Sequence, residues 1–206
     1  MSVSLRKTGD EGSTRTRGIL EAAARLICAR GYEGTSIQEI ADACSLTKAG
    51  LYHHIESKEH LLLAIQNYGM DIFETEVLSQ VLAIADPVER LRSCMELNIR
   101  LVTGGRHKEV LIILHEHDTL TGEARAHVNA RKKRYVHVLE DAFREAIAQG
   151  RMRHVEPKVA AFAFLGQVLW IYKWYHPGAG LSEEQVVRGM LDLFFTGLLL
   201  KAPHPA

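Results

Sequence analysis

Apolar residues recur at three- and four-residue intervals along most of the chain, the spacing that gathers them on one side of an α-helix. Glycine and proline fall between these periodic segments, and alternating β-branched runs bounded by Asn-Gly or Asp-Gly turns are missing. The predicted fold class is all-α. Ile19, Leu20, Ala23, Leu26 and Ile27 set a first helix over 14–30, ended by Gly31. Ser36 and Glu39 form a capping box in which hydroxyl and carboxylate each take up an orphan amide, opening a short helix over 37–43. Cys44, Ser45 and Leu46 break it, Thr47 caps a third short helix ending near residue 55, and Ser57 caps a fourth. Leu61, Leu62, Ile65, Tyr68, Ile72 and Phe73 carry that fourth helix from 58 toward 82.

Asp86 and Pro87 open a helix over 88–102, with proline in the first turn where its missing amide costs nothing, and Gly104 and Gly105 close it. Further helices are predicted over 107–117, 123–148, 157–175 and 182–200. Phe162, Phe164, Leu165, Val168, Leu169, Ile171 and Tyr172 make the helix after Pro157 apolar nearly all round. The last helix, with Val186, Val187, Met190, Leu191, Leu193, Phe194, Phe195 and Leu198, behaves likewise, so each must bury more than one face. Internal repeats and low-complexity stretches are not seen.

A chain of 206 residues fits one large domain or a small one fused to a medium one. Its 47% hydrophobic and 24% charged content suits a soluble globular protein with a sizeable core. The 25 basic residues balance the 25 acidic ones, so the overall field does not advertise nucleic acid and only local clusters inform that question. Cys28, Cys44 and Cys94 are odd in number and sit in apolar helical contexts, as reduced core thiols do, which points to the cytosol. Residues 1–13 lack the apolar run of a secretory signal, and no stretch reaches the roughly 20 apolar residues of a membrane span, so a cytoplasmic chain without a membrane partner is expected.

Two short helices separated by a three-residue break are the helix-turn-helix layout, in which the second helix enters the major groove of DNA and the first braces it. Ile40, Ala41, Leu46 and Leu51 are spaced to pack the pair, and Thr47, Lys48, Ala49, Tyr52 and His53 then face outward. Those outward groups reach phosphates and base edges, with Lys48 supplying charge near the helix start. Arg6, Lys7, Arg15 and Arg17 form a basic arm and first turn, diluted by Asp10, Glu11 and Glu21. The arm either grips adjacent phosphates or the minor groove, or is merely solvated.

The segment TSIQEIADACSLTKAGLYHHIESKEHLL, residues 35–62, resembles the TetR family of regulators. The resemblance implies a three-helix DNA-binding domain over 14–60 behind an arm over 1–13, and a helical ligand-binding and dimerisation domain over 61–206. It implies that Tyr52 and His53 hold the sugar-phosphate backbone, that Lys58 holds a phosphate, and that Thr35, Ser36 and Thr47 lie at the DNA surface along with Lys48, Ala49, Arg15 and Arg17. Positions 54 and 55 are His and Ile where the family has mostly an aromatic pair, which implies a small packing change. The implied partners are double-stranded operator DNA, a second copy of the chain and a small-molecule effector. No cofactor is expected. Phe164, Val168, Ile171, Met190, Phe194 and Leu198 are the expected dimer interface, and Phe162, Leu165, Leu169, Trp170, Trp174 and Tyr175 the expected ligand lining.

Residues 170–182, WIYKWYHPGAGLS, are similar to a pattern found in TetR regulators that respond to acyl-CoA thioesters. Trp174 and Tyr175 otherwise simply pack the turn before the last helix. Arg131, Lys132, Lys133 and Arg134 suit CoA phosphates, or form one solvated helix face. His115, Glu116, His117 and Asp118 resemble a metal cluster, yet residues one and two apart on a helix do not share a face, so no metal is expected. A Gly-rich phosphate loop, a nucleophile elbow and a His-Glu-x-x-His pair are all missing, which argues against an enzyme. The expected function is a repressor released from a palindromic operator by an acyl-CoA. The alternatives are a regulator answering to a different apolar ligand, such as a drug or aromatic compound, or a helical interaction module that does not bind DNA.

Overall fold

The computed structural model describes residues 10–105, 107–116 and 118–198, and every element among them is helical. In chain order these are α1 (Asp10–Arg30), α2 (Ile37–Ala43), α3 (Lys48–Tyr52), α4 (Lys58–Phe73), a π-helical turn (Glu74–Leu78) and α5 (Ser79–Leu82). They continue with α6 (Pro87–Thr103), α7 (Lys108–His115), α8 (Gly122–Ala148), α9 (Pro157–Trp174) and α10 (Glu183–Leu198). Among the described residues, no helix is long and apolar enough to cross a membrane. The all-α expectation holds.

The fourth predicted helix departs from simple periodicity. Its register changes at Glu74–Leu78, where the Ser79 amide donates to the Glu74 carbonyl five residues back instead of four. Side chains take up carbonyls near the altered register: the Ser79 hydroxyl donates to Thr75 O at 2.6 Å and the Gln80 amide to Glu76 O at 2.6 Å. The carboxylate of Glu74 accepts from Arg131 Nε at 3.0 Å and from Arg134 at 3.4 Å.

The chain forms two compact units, the first taking the described residues up to Ile72 together with those of 106–130, the second those of 73–105 and 131–198. In the first, Ile19, Ala23 and Ile27 of α1 meet Ile40 and Ala41 of α2, Leu51 of α3 and Leu61, Leu62 and Ile65 of α4. Ile112 of α7, with Leu120 and Val128, completes this core, so a segment distant in sequence is built into it. Gly69 lets α4 and α7 cross closely, because a Cβ there would lie 2.6 Å from the Glu109 carbonyl oxygen.

In the second unit α6 packs against α9 and α10. Its centre is aromatic: Phe164 meets Phe194 edge-on at 5.7 Å between ring centroids, and Phe143 lies 6.4 Å from Phe164. A polar cluster is buried in the same unit, where Asn98 donates to the Tyr135 hydroxyl at 2.9 Å and Cys94 Sγ lies 3.2 Å from the same oxygen. Arg100 on α6 donates to Glu183 and Glu184 and so ties the first turn of α10. The three cysteines are free thiols, and burial pushes Cys28 and Cys94 up to about 11, so both stay protonated.

Candidate nucleic-acid interface

The helix-turn-helix is shaped by three local devices. Ser36 and Glu39 form the capping box, with Ser36 Oγ accepting from the Glu39 amide at 3.2 Å and Glu39 Oε2 accepting from the Ser36 amide at 2.8 Å. Arg30 also pairs with Glu39, and the Ser36 amide, the Ser36 hydroxyl and then Arg30 hold that carboxyl below its ordinary value. The break between the helices is a Schellman turn, in which Leu46 N donates to Ala41 O at 2.8 Å and Ser45 N to Asp42 O at 3.0 Å. Ser45 takes the left-handed conformation, φ 54°, where glycine is usual. Thr47 then caps α3 by accepting from the Gly50 amide at 3.0 Å.

Leu51 is fully buried beneath α3, which fixes the helix's rotation and leaves Lys48, Ala49, Tyr52 and His53 exposed on its outer side. Tyr52 is an aromatic with 44% of its surface in water. Arg15 and Arg17 are exposed on α1, Arg17 lying 5.8 Å from the centre of the Tyr68 ring. Lys58 is half-buried, its ammonium 4.2 Å from the centre of the Tyr32 ring. Ser36 is exposed, with its hydroxyl engaged by Glu39.

Thr35 requires a correction. It is 1% exposed and its hydroxyl donates to Gly31 O at 2.9 Å, so it closes the end of α1 and offers nothing to a phosphate. Arg6 and Lys7 lie outside the described residues. Two residues missed in the sequence lie next to Lys58 or are tied to its neighbour. They are Tyr32, beneath Lys58, and Glu116, whose Oε1 accepts from the Tyr32 amide at 3.0 Å. They lie 84 positions apart, and no local pattern signals such a contact.

On α9 and α10 burial runs against part of each expected set. Phe164, Val168 and Ile171, assigned to a dimer interface, are fully buried inside their own protomer, and Phe194 is buried with them, so they cannot meet a second copy. Phe162, Trp170 and Trp174, assigned to a ligand lining, are exposed, Trp170 by 62%. Leu165 is buried, Leu169, Tyr175 and Met190 are half-buried, and the Leu198 side chain lies outside the described residues. The cause is phase. A helix apolar all round gives no periodicity from which to choose its inner face.

The cationic run of α8 is divided. Arg131 is largely buried and shares Glu74 with the more exposed Arg134, and against the cost of burial these guanidiniums hold the Glu74 carboxyl below its ordinary value. Of the residues weighed as a metal cluster, Glu116 accepts from Tyr32 and Thr119 and Asp118 accepts from Arg125 at 2.6 Å, while His117 lies outside the described residues.

A capped α2, a tight turn and an α3 with polar and aromatic groups outward make up a helix-turn-helix. The family model "Bacterial regulatory proteins, tetR family" matches residues 19–65, and "Tetracyclin repressor-like, C-terminal domain" matches 85–198. The chain belongs to the TetR family. It is a TetR-type DNA-binding transcriptional repressor, and its relatives are regulators, not enzymes. It is 26% identical over 188 residues to the transcriptional repressor KstR2 of Mycobacterium tuberculosis, covering 90% of this chain and 94% of that one. It is 65% identical to the solved structure of AibR in complex with isovaleryl coenzyme A and operator DNA, with a TM-score of 0.86 over 87% of this chain and 97% of that chain. PfmR from Thermus thermophilus, a TetR family regulator, shares 33% identity with a TM-score of 0.78 over 86% of this chain and 97% of its own.

Proposed function

We propose that the chain acts as a homodimer that holds a palindromic operator through α3 of each copy and releases it on binding an acyl-CoA thioester. One observation carries the effector class: the 65% identity to AibR, a protein solved with isovaleryl coenzyme A and operator DNA. Residues Lys48, Ala49, Tyr52 and His53 are the groove-facing set, with Thr47, Ser36, Lys58, Arg15 and Arg17 around them. Paired in a two-fold dimer, the recognition helices meet half-sites roughly one helical turn, about 34–36 Å, apart.

The dimer face we assign is the outer side of α9 and α10. Val159, Phe162, Trp170 and Trp174 expose apolar surface on α9, and Leu193 does so on α10 with 73% of its area in water. Gly166, Gly189 and Gly197 lie in the same helices, and a Cβ at any of them would meet nothing within 4 Å of its own chain. Glycine inside a helix costs about 1 kcal/mol relative to alanine, and internal packing gives no reason for it here. Close approach of a second copy does.

The test is an anisotropy titration of an operator duplex selected by the wild-type protein, with isovaleryl-CoA, a long-chain acyl-CoA and free CoA added in turn. A thioester should weaken binding about 5- to 150-fold, and operator should weaken thioester binding by the same factor. Equal operator affinity with and without every thioester would refute the effector class, and release by an unrelated apolar compound would favour a different ligand.

A further inference from the structure

We propose that Tyr32 is a positioning residue for operator binding, and that Glu116, contributed from the end of α7, sets its position. The inference rests on the reading that Lys58 contacts a phosphate. Lysine is a flexible point charge, and a phosphate contact from it gains when the ammonium is held in place beforehand. In this chain the holder is the Tyr32 ring, 4.2 Å from Lys58 Nζ to its centroid.

Tyr32 lies in the irregular segment between α1 and α2, where no helix fixes it. Its amide donates to Glu116 Oε1 at 3.0 Å, and its carbonyl accepts from the Thr35 amide at 3.2 Å. Glu116 is itself fastened on every side: Oε2 accepts from the Thr119 hydroxyl at 2.7 Å, and its backbone carbonyl accepts from Gln66, a buried side chain of α4, at 3.0 Å. The chain of contacts therefore runs from the end of α7 through Glu116 to the Tyr32 backbone, and from the Tyr32 ring to Lys58. All of these residues lie in the first unit, yet Glu116 falls within the stretch matched by the C-terminal family model. Movement at the end of α7 withdraws the acceptor from Tyr32 and frees Lys58, weakening the hold on DNA without touching α3.

The experiment measures affinity for the selected operator duplex across a potassium chloride series, because the slope of log affinity against log salt counts phosphate contacts and a merely structural residue does not move it. The variants are Lys58→Gln, Tyr32→Leu, Tyr32→Phe, Glu116→Ala and the double variant Tyr32→Leu/Lys58→Gln, each checked for helix content. Lys58→Gln should weaken binding about tenfold and lower the slope by about one per subunit. Tyr32→Leu and Glu116→Ala should each lower affinity several-fold and reduce the slope, Tyr32→Phe should restore both, and the double variant should bind no worse than Lys58→Gln. An unchanged slope in Lys58→Gln would remove the phosphate reading and the inference with it. A normal Lys58→Gln effect with additive loss in the double variant would leave that reading standing and overturn the role of Tyr32. Should Tyr32→Leu not fold, Glu116→Ala decides: a full wild-type slope there also overturns the proposal.

Discussion

The α2–α3 pair and the α9–α10 pair each have an outer face that the chain's own packing leaves uncovered, yet their sequences specify those faces in different ways. In α2–α3 only Ile40, Ala41 and Leu51 are buried, and the other side chains are mostly polar or small, so these three point inward and the remainder follows. In α9 the inward set Ala160, Ala161, Phe164, Leu165, Val168 and Ile171 shares its helix with an outward set that is also apolar. A helix that meets water or DNA on one side declares its orientation. A helix apolar on both sides does not, and only the packing of its own protomer shows which side is left over.

The sharpest way to break this contrast is to truncate one residue from each side of α9. Phe164→Ala removes a fully buried ring that packs on Phe143 and Phe194, and should cost about 3–5 kcal/mol in urea unfolding at any protein concentration, whereas a comparable concentration-independent loss from Trp170→Ala would mean the faces are wrongly assigned. Trp170→Glu should instead leave the protomer folded and weaken self-association by roughly a hundredfold in sedimentation, in line with the loss of an aromatic anchor. An unaltered dimer in that variant would move the interface elsewhere.

On the α3 side, Tyr52→Ala should lower operator affinity about tenfold with little change in melting temperature, since its ring is half in water and supports no core. A large drop in stability with no effect on DNA would turn Tyr52 into a packing residue. The smallest effect expected is acid sensitivity. Glu39 in the first unit and Glu74 in the second both have carboxyls held below the ordinary value of 4.5. A lowered folded value stabilises fully above the unfolded value and is lost as pH falls through the folded one, so both contributions should persist at neutral pH and fade below about pH 4.5. Urea midpoints followed through that range should flatten in Glu74→Gln, and an unchanged acid limb would mean that the Arg131 pair contributes nothing measurable.

The helical class, the capping box, the break at 44–46 and the exposed side of α3 were legible because each depends on residues within one or two turns of one another. At Thr35 the family resemblance implies a hydroxyl contact with DNA, and only the folded chain shows that hydroxyl donating back to Gly31. The π turn at Glu74–Leu78 has no periodic signature strong enough to separate it from an ordinary helix.

What the amino-acid order alone determined is the helical segments, their caps and the exposed side of α3, since these follow from hydrogen bonds and periodicity over a few residues. Tertiary structure decided the rest: the inclusion of α7 in the DNA-binding unit, the pairing of Tyr32 with Glu116 across 84 positions, and which flank of α9 stays outside. These are contacts between distant segments, whose partners are chosen by the mutual packing of whole helices.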